Sequence, residues 1–170
     1  MPLDPRPAVV AYDGSEPARA AVRAAASLLD GRDLLVVSVW EPGLAMTMAS
    51  PLGDPTGLAA PPPSAEQMAT IDRVQRDAAT QSAEDGARIA RELGATATPL
   101  PIADEIDPAA TIAAVAQQHD ACMIVIGSRG LGRVAAQVFG STSRELLRRA
   151  DCPVVVVKAP SRPAGTPATP

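Results

Sequence analysis

The sequence predicts a doubly wound α/β domain: a five-stranded parallel sheet in the order 3-2-1-4-5 with helices on both faces. Short Val-rich runs such as "AVVAY", "DLLVVSVW", "CMIVI" and "PVVVVK" are continuous rather than alternating, the pattern of strands buried on both faces. Between them, apolar residues recur at helical spacing. Strands that alternate with helices pair in parallel through right-handed crossovers, and a ligand crevice then lies beyond the carboxyl ends of the strands.

The first run, residues 8–12, ends at Asp13-Gly14, after which Ala18, Ala21, Val22, Ala25 and Leu29 follow helical spacing. Ser15 is placed to cap that helix, Pro17 suits its first turn and Gly31 its end. "DLLVVSVWEP" is the second strand. Residues 42–63 hold six prolines and three glycines, which denies helix and ladder hydrogen bonds and predicts a mobile surface loop.

"SAEQ" at residues 64–67 is a capping box, and Met68, Ile71, Val74, Ala78, Ile89 and Leu93 mark a long helix stopped by Gly94. "ATATPLPI" is a third strand, which Pro99 and Pro101 push to a sheet edge. Asp107 and Pro108 open a third helix with Ile112, Val115 and Ala116 facing inward. The fourth strand is "CMIVI" and the fifth follows Cys152. The domain is expected to span residues 1–160, and the Pro-rich residues 161–170, with little apolar bulk to repay ordering entropy, to form a disordered tail.

The chain is 46% hydrophobic and 20% charged with a formal net charge of −4, the balance of a globular protein without the basic excess of a nucleic-acid binder. One Phe, one Tyr and one Trp leave an aliphatic core and no base-stacking platform. Cys122 and Cys152 are too few for a disulfide scaffold. No apolar run approaches the ~18 residues of a membrane span, and no leader pattern stands at the start. These observations predict a cytoplasmic protein that contacts neither membrane nor nucleic acid.

Three segments fall at the carboxyl ends of strands: Asp13-Gly14-Ser15, Val39-Trp40-Glu41, and the stretch from Gly127 onward. The last, "GSRGLGRVAAQVFGSTSRELL", holds Gly127, Gly130, Gly132 and Gly140, the last directly before Ser141, Thr142 and Ser143. Glycines let backbone N–H groups approach a polyphosphate, and a helix opening at the loop's end adds its positive dipole end. Thr142 and Glu145 have capping-box spacing, which would leave Ser141 free for a ligand.

Gly127-x-x-Gly130, nine residues, then Gly140-Ser141 resembles the nucleotide loop of the universal stress protein family, in its ATP-binding subgroup. "VVAYDGSEPARAAV", "LLVVSVWEP" and "CPVVVV" extend the resemblance over nearly all of residues 8–158. It implies an adenine-nucleotide α-hydrolase-like fold and a site for ATP, with or without magnesium. By that resemblance Asp13 accepts hydrogen bonds from the ribose, the backbone of Val39 reads the adenine edge, Gly127 lies against the ribose, and Gly130, Gly140, Ser141 and Thr142 surround the phosphates. It also implies a homodimer through the last strand, Val154–Val157. The sequence departs from the family at Cys122, where Asp is common, and at Ile106, where Gly is common.

Each of these residues has a plainer reading. Asp13 suits an ordinary Asx turn. Arg129 and Arg133 can clamp phosphate oxygens or be solvated loop charges. Trp40 and Met46 can cover the base, or Trp40 can pack beneath the long loop. His119, the lone histidine, falls at a helix end and offers no nucleophile–His–acid set, and no His/Cys cluster suggests zinc. The expected function is a nucleotide-binding regulatory protein of stress physiology, with no catalytic residues, no metal site of its own and at most slow ATP turnover. A receiver-type phosphoacceptor domain is the alternative: Asp13, Ser128 and Lys158 fall at suggestive places, with Asp104 or Asp107 as acceptor, but the second acid after the first strand is missing. A structural dimer that binds nothing is the third reading.

Overall fold

The computed structural model describes residues 5–29, 31–43, 64–104, 107–128 and 140–159. These build β1 (Ala8–Ala11), α1 (Glu16–Leu28), β2 (Asp33–Trp40), α2 (Ala65–Glu92), β3 (Thr96–Ala103), α3 (Pro108–Gln118), β4 (Met123–Gly127), α4 (Ser141–Arg149) and β5 (Val154–Val157). The strands form one parallel sheet in the order β3-β2-β1-β4-β5. The expected fold class and strand order are those observed. The Pro-rich segment beyond Gly43 and the tail from residue 160 lie outside the described residues.

Helix boundaries follow local chemistry. The Ser15 hydroxyl accepts the N–H of Ala18 at the start of α1, and Ser64 and Gln67 close the capping box of α2 from both sides. Asp107 caps α3 by accepting the N–H of Ala110 at 2.9 Å, with Pro108 in the first turn. Gly94, just past α2, has φ +88°, where a side chain would be strained. The fourth strand begins at Met123 rather than Cys122, whose N–H donates to Pro7 O just ahead of β1. Pro99 and Pro101 sit in β3, at the sheet edge, where missing N–H groups cost no ladder bond.

The sheet carries a core on each face. Val10, Val22, Leu34, Val36 and Ala87 belong to one, beneath α1 and α2. Val9, Leu35, Ile112, Ile124 and Leu146 belong to the other, beneath α3 and α4. Leu34, Ile124 and Leu146 are wholly excluded from solvent, each worth roughly 1.5–3 kcal/mol of transfer free energy.

The inward face of α2 differs from the one its larger apolar residues suggest. Ile71, Val74 and Leu93 are exposed, Val74 at 63%, and the buried positions are Ala79, Ala83, Gly86, Ala87 and Ala90. Small residues let the helix approach closely. A Cβ on Gly86 would stand 2.8 Å from Val36 Cγ1 and 2.9 Å from the Tyr12 ring. Gly127 serves the same purpose for α1, since a Cβ there would lie 2.5 Å from the backbone carbon of Pro17.

Candidate nucleotide site

At the carboxyl ends of β1, β2 and β4 the described residues enclose a cavity of about 460 Å³, within the size range of small-molecule sites. Asp13, Val39, Gly127 and Thr142 line it, so four residues singled out in the sequence meet in one crevice although they lie on four separate segments. Strand order brings them together: β1, flanked by β2 and β4, is where the direction of winding reverses.

Asp13 is held by its own turn. Its Oδ1 accepts the N–H of Ser15 at 3.0 Å, and Gly14 between them has φ +77°. The Asx-turn reading is therefore real. It engages one carboxylate oxygen of a half-buried side chain at the cavity wall. Val39 stands near the end of β2, paired in register with Ile102.

The start of α4 departs from the capping-box expectation. The N-cap is Gly140, not Thr142, and no side chain caps the helix. Glu145 instead turns along the helix to Arg149, whose Nε donates to Oε1 at 2.6 Å, and to Arg148. Gly140's own N–H donates to Ser128 O at 2.9 Å, tying the helix start to the residue after β4. The buried Ser143 returns its hydroxyl to Gly140 O at 3.1 Å. The first-turn N–H groups of Ser141, Thr142 and Ser143 have no intrahelical acceptor, and Thr142 and Ser143 face the cavity. Ser141 is exposed and Gly140 half-buried beside it. Arg129 and Gly130, with Gly132, Arg133, Met46 and Ile106, lie outside the described residues.

Trp40 packs against Arg76 of α2, the guanidinium carbon 5.6 Å from the ring centre. His119 is the C-cap of α3 and exposed. Asp104 is buried and accepts the Thr111 hydroxyl at 2.9 Å. Asp107 divides its carboxylate between the α3 cap and Arg149, 3.1 Å away. The two acids considered as phosphoacceptors thus have structural partners.

Several lining residues were not assigned to the site from the sequence: Tyr12, Ser38, Ala78, Ser82, Pro108 and Ile112. Ser38 carried a signal, being the polar interruption of a Val-rich buried strand. Ser82 carried none, because one serine on a mostly polar helix is indistinguishable from a solvated one.

The profile of the universal stress protein family matches residues 5–158. The chain belongs to that family. A universal stress protein of Mycobacterium tuberculosis is 32% identical over 152 residues, covering 88% of this chain and 46% of the relative, so the chain spans about half the length of that relative. A universal stress protein of Thermus aquaticus is 31% identical over 156 residues, covering 88% of this chain and 96% of the relative. Among solved structures, the universal stress protein of Archaeoglobus fulgidus in complex with dAMP is similar with a TM-score of 0.61 and 26% identity, covering 90% of this chain and 98% of that one. The universal stress fold positions the strand ends and α4 around the crevice, and among the described residues no helix is long and apolar enough to cross a membrane.

Proposed function

We propose that the chain is a stress-response regulatory protein that binds an adenine nucleotide, ATP above all, in the crevice at the ends of β1, β2 and β4. The observation that carries this is the meeting of Asp13, Val39, Gly127 and Thr142 around one cavity of about 460 Å³. The free carboxylate oxygen of Asp13 is suited to ribose hydroxyls, the main chain at Val39 to the adenine edge, and the close-packed Gly127 to the sugar face. An uncapped helix start at Ser141 and Thr142 offers N–H groups and a positive dipole end to phosphate. By the sequence resemblance, Gly130 and Arg129, which lie outside the described residues, would add to the phosphate contacts. The complex of the A. fulgidus protein with dAMP supports the choice of an adenine nucleotide.

The role in this reading is regulatory rather than catalytic: among the described residues Asp13 is the carboxylate that lines the cavity, and it is assigned to the ribose. Magnesium would arrive on the phosphates, since among the described residues no group of three His, Cys, Asp or Glu side chains is placed to hold a metal. A second copy is expected to pair along β5, an edge of the described sheet, where Val155 is 37% exposed. The two cysteines are free, and burial pushes the Cys152 thiol above its ordinary range.

Calorimetric titration of protein stripped of co-purified nucleotide tests the reading. ATP is expected to bind with a Kd on the order of micromolar, about −8 kcal/mol. Absence of binding by ATP, ADP and AMP alike would overturn it.

A further inference from the structure

Ser82 lies on α2, the opposite face of the sheet from α3 and α4, and its side chain borders the cavity one helical turn after Ala78. It stands next to the turn that follows Asp13: a Cβ built on Gly14 would lie 3.9 Å from Ser82 Oγ. The hydroxyl therefore sits against the same turn that aims the Asp13 carboxylate.

The other hydroxyls of this helix show what such a group does when it has no task. Thr70 donates to Glu66 O at 2.9 Å and Thr80 to Arg76 O at 2.8 Å, each four residues back. Ser82 makes no such bond, and among the described residues its hydroxyl has no hydrogen-bond partner. It is only partly exposed. A partly buried hydroxyl and a carboxylate that line the same cavity on either side of the Gly14 turn suit a vicinal diol: the carboxylate accepts, and the hydroxyl both donates and accepts.

We infer that Ser82 is a specificity-determining residue that, with Asp13, reads the sugar hydroxyls of the bound nucleotide and favours ribose over deoxyribose. The inference rests on the nucleotide reading above. It adds a contact from α2 to a site otherwise built from the strand ends and the start of α4. Loss of a ligand hydroxyl would leave Ser82 without its partner in a partly dehydrated pocket, the situation in which polar sites discriminate.

The test is a calorimetric comparison of ATP, 2′-deoxy-ATP and 3′-deoxy-ATP on the native protein, Ser82→Ala and Ser82→Thr. The native protein is expected to bind ATP more tightly than at least one deoxy analogue by about threefold to tenfold, the range of one neutral hydrogen bond. Ser82→Ala should weaken ATP by a similar factor and leave that analogue unchanged, erasing the preference, and Ser82→Thr should restore it. Equal losses for all three ligands in Ser82→Ala would indicate a structural effect and overturn the inference, as would a native protein indifferent to both sugar hydroxyls. Failure of the native protein to bind any of the three would overturn the nucleotide reading itself, and Ser82's role with it. Failure of Ser82 alone leaves native ATP binding intact.

Discussion

Asp13 Oδ1 accepts the N–H of Ser15 at 3.0 Å, and the Ser15 hydroxyl in turn accepts the N–H of Ala18 at the start of α1. The carboxylate that faces the cavity is therefore also the one that orders the turn before the helix. Asparagine keeps the Oδ1 acceptor but replaces the open oxygen by a donor. Asp13→Asn is expected to melt within a few degrees of the native protein while weakening ATP about tenfold or more, the scale of one charge-assisted hydrogen bond. Asp13→Ala should lose both binding and about 1 kcal/mol of stability. Undiminished ATP affinity in Asp13→Asn, measured by calorimetry, would remove Asp13 from the site.

Gly86 is a packing residue. In an exposed helix, glycine to alanine stabilises by about 1 kcal/mol, but here the added methyl would meet Val36 Cγ1 at 2.8 Å and the Tyr12 ring at 2.9 Å. Overpacking typically costs about 1–3 kcal/mol and is expected to win, so Gly86→Ala should lower stability by up to about 2 kcal/mol in urea denaturation. Since Tyr12 also lines the cavity, the same variant should weaken nucleotide binding. An increase in stability would mean that α2 does not pack this closely.

Much of this architecture was legible in the sequence because its signals are local. Continuous runs such as "DLLVVSVW" declare buried strands, Ser64 with Gln67 declares a helix start, and Pro99 with Pro101 declares an edge. The inward face of α2 was not legible. Its contact is made by alanines and a glycine, which carry little hydrophobic signal, while Ile71 and Val74, which carry more, point outward. The N-cap of α4 was misplaced because Thr142 and Glu145 have the spacing of a capping box. Glu145 gains more from Arg149 one turn along, and the bond from Gly140 N–H to Ser128 O sets the helix start two residues earlier. The cavity contacts from Ser38 and Ser82 depend on which helix faces which strand end, and no short motif records that.

Arg149 joins Glu145 to Asp107, linking α4 to the cap of α3. The Arg149 guanidinium holds the Glu145 carboxyl below its ordinary value of 4.5. A carboxylate lowered in the folded state contributes stability above its unfolded value and loses it as pH falls through the folded one. The melting difference between the native protein and Glu145→Gln should therefore be largest above about pH 5 and shrink toward zero in more acidic solution. Because the pair is exposed to solvent, salt should reduce the difference as well. A difference that grows on acidification would contradict the assignment.

Val155, exposed on the β5 edge, is where a charge should prevent a second copy from adding to the sheet. Val155→Lys is expected to convert a dimer to a monomer in sedimentation velocity without unfolding the chain, because lysine is a natural guard of edge strands. A native protein that sediments as a monomer at micromolar concentration would refute pairing through this edge.

Amide hydrogen exchange with and without saturating ATP tests the central claim, that the nucleotide sits at the strand ends, most directly. Binding at this crevice should slow exchange in peptides containing Asp13, Val39, Gly127 and Thr142 together, with little change in peptides from the exposed amino-terminal turns of α2. Protection confined to other segments, or none under conditions where calorimetry records binding, would place the nucleotide elsewhere on the protein.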